Sequence, residues 1–339
     1  MGLRRWVKER LFGKAEEPMV SPLQTDGTVG YYAMRPDPFA SLGYPVVVPN
    51  QPIVKQSHEE SPVNEEVANQ EDLAEKWFDS GVQNGRQGDF LGSIQDFEKA
   101  IEIKHDYHQA WHWRGISLYA LGRNEEAIAS YEKAIEIKPD YHEAWSNRGN
   151  SLSALGRNEE AIASYEKAIE IKPDDHEAWS NRGNSLFAVG RKEEAIASYD
   201  KAIEFKPDND KAWHNRGNSL YALGRKEEAI ASYEKSIEFK PDDHEAWYNR
   251  GISLSALGRK EEAIASYDKA IEFKPDYANA FYNRAYCHST MGNLELALED
   301  LTIAFRLEPE EYRQLATIDP DLDPLRSHPS FIALMESTI

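Results

Sequence analysis

Residues 142–175, HEAWSNRGNSLSALGRNEEAIASYEKAIEIKPDD, return almost letter for letter as residues 176–209, HEAWSNRGNSLFAVGRKEEAIASYDKAIEFKPDN. The period is 34 residues, and Trp77, Trp111, Trp145, Trp179, Trp213, Trp247 and Phe281 carry it along the chain. A fixed period of this length marks a stacked helix–turn–helix array, in which each unit contacts only its neighbours. Arrays of this kind work by presenting a surface, so the period points to binding before any single residue is weighed.

Inside the quoted stretch, Trp145 to Ala154 has helical periodicity and Leu155-Gly156 supplies a turn. A second helix is expected from about Asn158 to Lys172, ending at Pro173-Asp174. Gly156 suits the left-handed residue just past a helix end, and Pro173 cannot continue a helix. The same punctuation recurs at Gly122/Pro139, Gly190/Pro207, Gly224/Pro241 and Gly258/Pro275. Helices this short are marginal alone in water, so stacking on a neighbouring unit must stabilise them.

Spacing of Trp145, Gly149, Leu152, Ala161, Tyr165, Ala168 and Pro173 resembles the tetratricopeptide repeat. Seven units match, from about Ala74 to Glu311. The departures are an Arg before each Gly, a Leu for the first Tyr and a Tyr for the Phe. The resemblance implies an all-α fold, a right-handed superhelical solenoid of helix–turn–helix repeats. It also implies a protein or extended peptide as partner, held in the concave groove lined by the first helix of each unit. On this reading Trp fills the space between the two helices, while Gly149 and Ala161 let backbones approach.

Units two to six are nearly copies, so their differences are informative. One residue after the Trp stand His112, Ser146, Ser180, His214 and Tyr248; five after, Ile116, Asn150, Asn184, Asn218 and Ile252. Eight after come Tyr119, Ser153, Phe187, Tyr221 and Ser255, and two before come Gln109, Glu143, Glu177, Lys211 and Glu245. These offsets are three or four apart, which places them on one helical stripe. That stripe is expected to be exposed and to vary while the packing face stays fixed. Asn147, Asn181, Asn215, Asn249 and Asn283 follow each repeat's leading aromatic by two. An amide carries a donor and an acceptor, so this row could bond a peptide unit without reading its side chain. Some tetratricopeptide superhelices use a similar Asn row in this way. The alternative is that the row serves neighbouring units.

Other features exclude functions or narrow them. Lys+Arg 39 against Asp+Glu 59 gives a formal charge of −20, which argues against nucleic acid as a partner. Arg114, Arg148, Arg182, Arg216, Arg250 and Arg284 read as structural ion-pair partners in so acidic a chain. The histidines repeat with the units, too far apart to share one metal ion. Cys287 replaces a Ser of the other units, and reads as a packed residue. With no phosphate loop, dinucleotide fingerprint or nucleophile elbow, neither catalysis nor a cofactor is expected. A regulatory or catalytic subunit with chemistry not visible in the sequence is the alternative function.

Outside the repeats, residues 1–17 read as a basic amphipathic segment. Leu3, Trp6, Val7 and Leu11 share one face amid Arg4, Arg5, Lys8, Arg10 and Lys14. Weak peripheral membrane contact through Leu3, Trp6 and Leu11 is one expectation, and docking on an acidic protein the other. Residues 18–73 read as an irregular arm, holding eight of the 17 prolines. Its apolar stretch, residues 31–54, is expected to dock on the repeats or else to serve as a linker. Residues 312–339 leave the repeat pattern and read as a helical cap. No secretory signal or membrane span is legible, and a cytoplasmic protein is expected.

Overall fold

The computed structural model describes residues 62–336, and within them every regular element is a helix. They form two compact units that part between Val189 and Gly190. The first holds α1 (Pro62–Arg86), α2 (Phe90–Ile103), α3 (His108–Ala120), α4 (Asn124–Ile137), α5 (His142–Ala154), α6 (Asn158–Ile171) and α7 (His176–Ala188). The second holds α8 (Lys192–Phe205), α9 (Asp210–Ala222), α10 (Lys226–Phe239), α11 (His244–Ser255), α12 (Lys260–Phe273), α13 (Ala278–Thr290) and α14 (Leu294–Leu307). It ends with α15 (Pro309–Ile318), a 3-10 turn (Pro320–Leu325) and α16 (Pro329–Glu336). In each unit, every helix packs on the one before it and the one after it in the repeated series. The all-α, stacked helix–turn–helix class expected from the sequence is the class observed.

Repeat three shows why the chain turns where it does. Helix α5 ends with Gly156 at φ 73°, a conformation that costs a residue without Cβ nothing. The N–H of Gly156 bonds Ser153 O at 2.9 Å, and that of Arg157 bonds Leu152 O at 2.9 Å. This pair of bonds is the Schellman closure, and it satisfies carbonyls that a helix end would leave open. Helix α6 stops at Ile171, because Lys172 is extended and Pro173 follows. At the start of α7 the Asp175 carboxylate accepts from the N–H groups of Glu177 and Ala178.

The core differs from the expectation that placed Trp in it. Trp111, Trp145, Trp179, Trp213 and Trp247 are only half-buried. Each indole N–H is tied to a main-chain carbonyl six residues back, as in Trp145 to Pro139 O at 3.0 Å. Tyr131, Tyr165, Tyr199, Tyr233 and Tyr267 on the second helices are the fully buried aromatics instead. The Gly four residues after the Trp makes room for that ring: a Cβ on Gly149 would lie 2.6 Å from Tyr165 Cε1. Gly therefore serves the Tyr rather than a backbone contact. Trp113, unique to repeat two, is the one fully buried Trp among the described residues.

Both ends of the array depart from the expected boundaries. Helix α1 begins at Pro62, inside the segment read as an irregular arm up to residue 73. Proline is tolerated in the first helical turn, where its missing N–H would have no partner. At the other end α15 starts at Pro309, before the expected cap boundary at residue 312. Tyr312, Leu322, Leu325, Phe331 and Leu334 share one buried cluster with Phe281, Leu301 and Phe305 of repeat seven. Residues 1–61, and with them Leu3, Trp6, Leu11 and the 31–54 stretch, lie outside the described residues.

Candidate partner-binding strip

The variable stripe is less exposed than the sequence suggested. His112, His214, Tyr221 and Tyr248 are buried, as is Asn215 of the Asn row. Asn147, Asn150, Asn181, Asn184, Asn218, Asn249, Asn283, Tyr119 and Phe187 are half-buried. The reason is that large side chains one residue after the Trp reach the next repeat and pack there. His112 lies with its ring centroid 4.8 Å from that of Tyr141, and Tyr248 stands 5.0 Å from Tyr277.

The Asn row bonds neighbouring repeats. Asn147 Nδ2 is 2.9 Å from His112 Nε2, and His112 Nδ1 is 2.9 Å from Tyr141 Oη. The consistent tautomer has Asn147 donating to Nε2 and the Nδ1–H donating to the tyrosine oxygen. Burial, with smaller contributions from His108 and His142, pushes the His112 pKa down to about 3, so the ring is neutral. Asn181 Nδ2 donates to Asn150 Oδ1 at 3.0 Å, and Tyr165 Oη donates to the same oxygen at 2.8 Å.

The second unit repeats the arrangement. Asn249 Nδ2 reaches His214 Nε2 at 3.2 Å and Asn218 Oδ1 at 3.3 Å, while Tyr233 Oη donates to Asn218 Oδ1. Asn283 Nδ2 donates to Tyr248 Oη at 2.8 Å. Burial lowers the His214 pKa against the opposing pull of Asp243, whose Oδ2 is 4.0 Å from Nδ1. The reading of these Asn side chains as serving neighbouring units therefore describes their nitrogens. Among the described residues Asn181 Oδ1 meets no protein donor.

The Arg row pairs with carboxylates of the preceding repeat, as anticipated. Arg148 donates through Nε and Nη2 to Glu132 Oε1, and through Nη1 to Ser164 Oγ at 2.7 Å. Arg114–Glu98, Arg182–Glu166, Arg216–Asp200, Arg250–Glu234 and Arg284–Asp268 repeat the contact. Bound on two sides, these guanidinium groups are not a free anion-binding row. Cys287 is buried, and burial pushes its thiol pKa up, against the activation a nucleophile needs. Among the described residues no group of three or more His, Cys, Asp or Glu could hold a metal ion. No helix among them is long and apolar enough to cross a membrane.

Sequence reasoning missed a further regularity. Phe205, Phe239, Phe273 and Leu307 end successive second helices of the second unit, each about two-fifths exposed. Their identical repeat position was the available signal.

Sequence models of the family described as TPR repeat match residues 115–156, 149–190 and 183–224, and models described as tetratricopeptide repeat match 214–278 and 266–299. Together the matches run over residues 115–299, more than half of the chain. The chain belongs to the tetratricopeptide repeat family. Its fold is similar to that of a tetratricopeptide repeat protein from Parabacteroides merdae, with TM-score 0.54 and 19% identity over 73% of this chain and 98% of that one. It is likewise similar to PilF of Pseudomonas aeruginosa, with TM-score 0.54 and 19% identity over 62% of this chain and 96% of that one. At these identities the likeness is one of fold. An uncharacterized protein of Methanocaldococcus jannaschii is 40% identical over 53 residues, which span 16% of this chain and 62% of that protein. Family and fold are those of a protein-interaction scaffold.

Proposed function

We propose that the chain is a cytoplasmic, non-catalytic scaffold or chaperone-like adaptor. It holds an extended segment of a partner protein along the first-helix strip of its repeats. The observation that carries this reading is the distribution of differences among near-identical repeats. The Tyr, Gly, Ala and Arg rows are constant through repeats two to six, whereas the chemistry changes mainly on one stripe of the first helix, where Asn150, Ser153, Asn184 and Phe187 stay partly exposed. Variation confined to a partly exposed stripe of a repeat scaffold is what a partner-reading surface requires. Asn181 supports it further, since its amide is oriented by Asn150 and still has an oxygen to offer. The acidic balance disfavours nucleic acid as the partner. Residues 1–14 add weak, salt-sensitive contact with an anionic membrane surface, and residues 31–54 compete for the strip.

Capture of partners from the native cell, followed by binding of the purified partner, tests the strip. Ser153→Glu and Phe187→Glu in the full chain should weaken binding at least tenfold while leaving helicity intact. Glu166→Gln, off the strip, should not. Equal loss for all three variants, or no loss for the first two, would remove the strip as the binding surface.

A further inference from the structure

Repeats two, three and five of this chain differ in one respect that assigns a ligand group to the strip. In repeat two the imidazole of His112 lies between Tyr141 and Asn147 of the next repeat, 2.9 Å from each. In repeat five the imidazole of His214 takes the same place, 4.0 Å from Asp243 Oδ2 and 3.2 Å from Asn249 Nδ2. Asp243 caps its helix and Asn249 sits two residues after the Trp, and Asp175 and Asn181 hold those same two positions in repeat four. Repeat three therefore faces an Asp–Asn pair of the type that meets an imidazole elsewhere in the chain. It faces them with Ser146, whose single hydroxyl is too short to span the interval an imidazole fills.

The chemistry of the pair is open on the side where the ring would sit. Asp175 Oδ1 accepts from two main-chain N–H groups, while Oδ2 has no partner among the described residues. Asn181 Nδ2 spends one hydrogen on Asn150 Oδ1. The equivalent Asn249 Nδ2 reaches both Asn218 and the His214 ring, so the second hydrogen of Asn181 is the one that would face an imidazole. Ser146, Asp175 and Asn181 are all partly exposed. Glu143 and Glu177 lie on the same stripe, and no Lys or Arg of repeats three and four does.

On the reading of the strip as a partner surface, we propose that this notch takes a histidine side chain of an extended partner segment. One ring nitrogen donates to Asp175 and the other accepts from Asn181, as His112 donates to Tyr141 and accepts from Asn147. The accepting nitrogen requires the neutral imidazole, so the contact weakens as pH falls through the range where histidine titrates.

The probe is a fluorescein-labelled dodecapeptide of Gly and Ser with one central His, compared with versions carrying Ala or Lys there. Anisotropy with the full chain should show the His peptide bound about tenfold tighter than the Ala peptide, the scale of a hydrogen bond to a charged group. Ser146→His fills the notch from within, and should reduce the His peptide to the level of the Ala peptide without lowering the melting temperature. Asp175→Asn keeps the helix cap and should remove most of the preference. If all three peptides bind equally, the strip reading stands and the histidine notch is wrong. A tighter Lys peptide would also overturn it, as a site for any cation. No binding by any of them would count against both readings.

Discussion

Gly149→Ala probes the constant part of the repeat, where a small change meets a ring that cannot move aside. The added Cβ would stand 2.6 Å from Tyr165 Cε1 and 2.8 Å from Cζ. Tyr165 is 1% exposed, and its hydroxyl is committed to Asn150. Overpacking of this kind costs about 1–3 kcal/mol. Replacing Gly by Ala inside a helix gains about 1 kcal/mol from propensity. The net expectation is a destabilisation of about 0–2 kcal/mol, opposite in sign to propensity alone. Repeat seven supplies the natural control, because there Ala285 replaces the Gly and Leu301 replaces the Tyr. Gly149→Ala and Tyr165→Leu should therefore couple favourably, by about 0.5–3 kcal/mol in a double-mutant cycle. Urea unfolding followed by circular dichroism and by tyrosine fluorescence gives the four free energies, provided the two probes coincide. A Gly149→Ala chain that gains the full propensity increment, or a cycle that is additive, would refute the reasoning.

The buried and half-buried tryptophans should separate in the same assay. Trp113→Ala should cost about 3–5 kcal/mol as a truncation in a packed interior, and Trp145→Ala clearly less, because part of its ring already faces water; equal losses would contradict the burial pattern. The pH dependence follows from His112, whose pKa of about 3 in the folded chain lies below the ordinary 6.5. Between those values the unfolded chain binds the proton and the folded chain does not, so the stabilisation is complete above 6.5 and is lost as pH falls toward 3. The urea midpoint should decline over that interval, and His112→Gln should flatten the decline; an unchanged slope would count against a neutral, buried ring.

The repeat period carried the fold because a fixed 34-residue spacing leaves few architectures open, and Gly156 and Pro173 fixed where each helix ends. Burial was harder to read. Trp145 is the larger ring, yet Tyr165 sits opposite Gly149 and Trp145 sits at the edge, tied to Pro139. Only the packing of two helices decides which aromatic is enclosed. The Arg row was legible from charge, since each guanidinium had a carboxylate available sixteen residues before it. The strip was half legible. Its positions are the variable ones, but His112 and Tyr248 vary because they pack against Tyr141 and Tyr277. Those partners lie 29 residues on, and the two rings that stand against an aromatic, His112 with Tyr141 and Tyr248 with Tyr277, occur in the repeats where that partner is Tyr. That pairing was present in the sequence and could have separated packing from recognition. The first helix was missed at Pro62 because proline was taken only as a breaker.

The most direct test of the strip is photo-crosslinking in the native cell with benzoylphenylalanine placed at one position at a time. Ser153 and Phe187 stand on the strip, and Glu136 and Glu170 are exposed near the ends of second helices. A strip that holds a partner segment predicts one discrete crosslinked protein from Ser153 and Phe187, and none from Glu136 or Glu170. The same product from all four positions, or a product only from Glu136 and Glu170, would contradict the account.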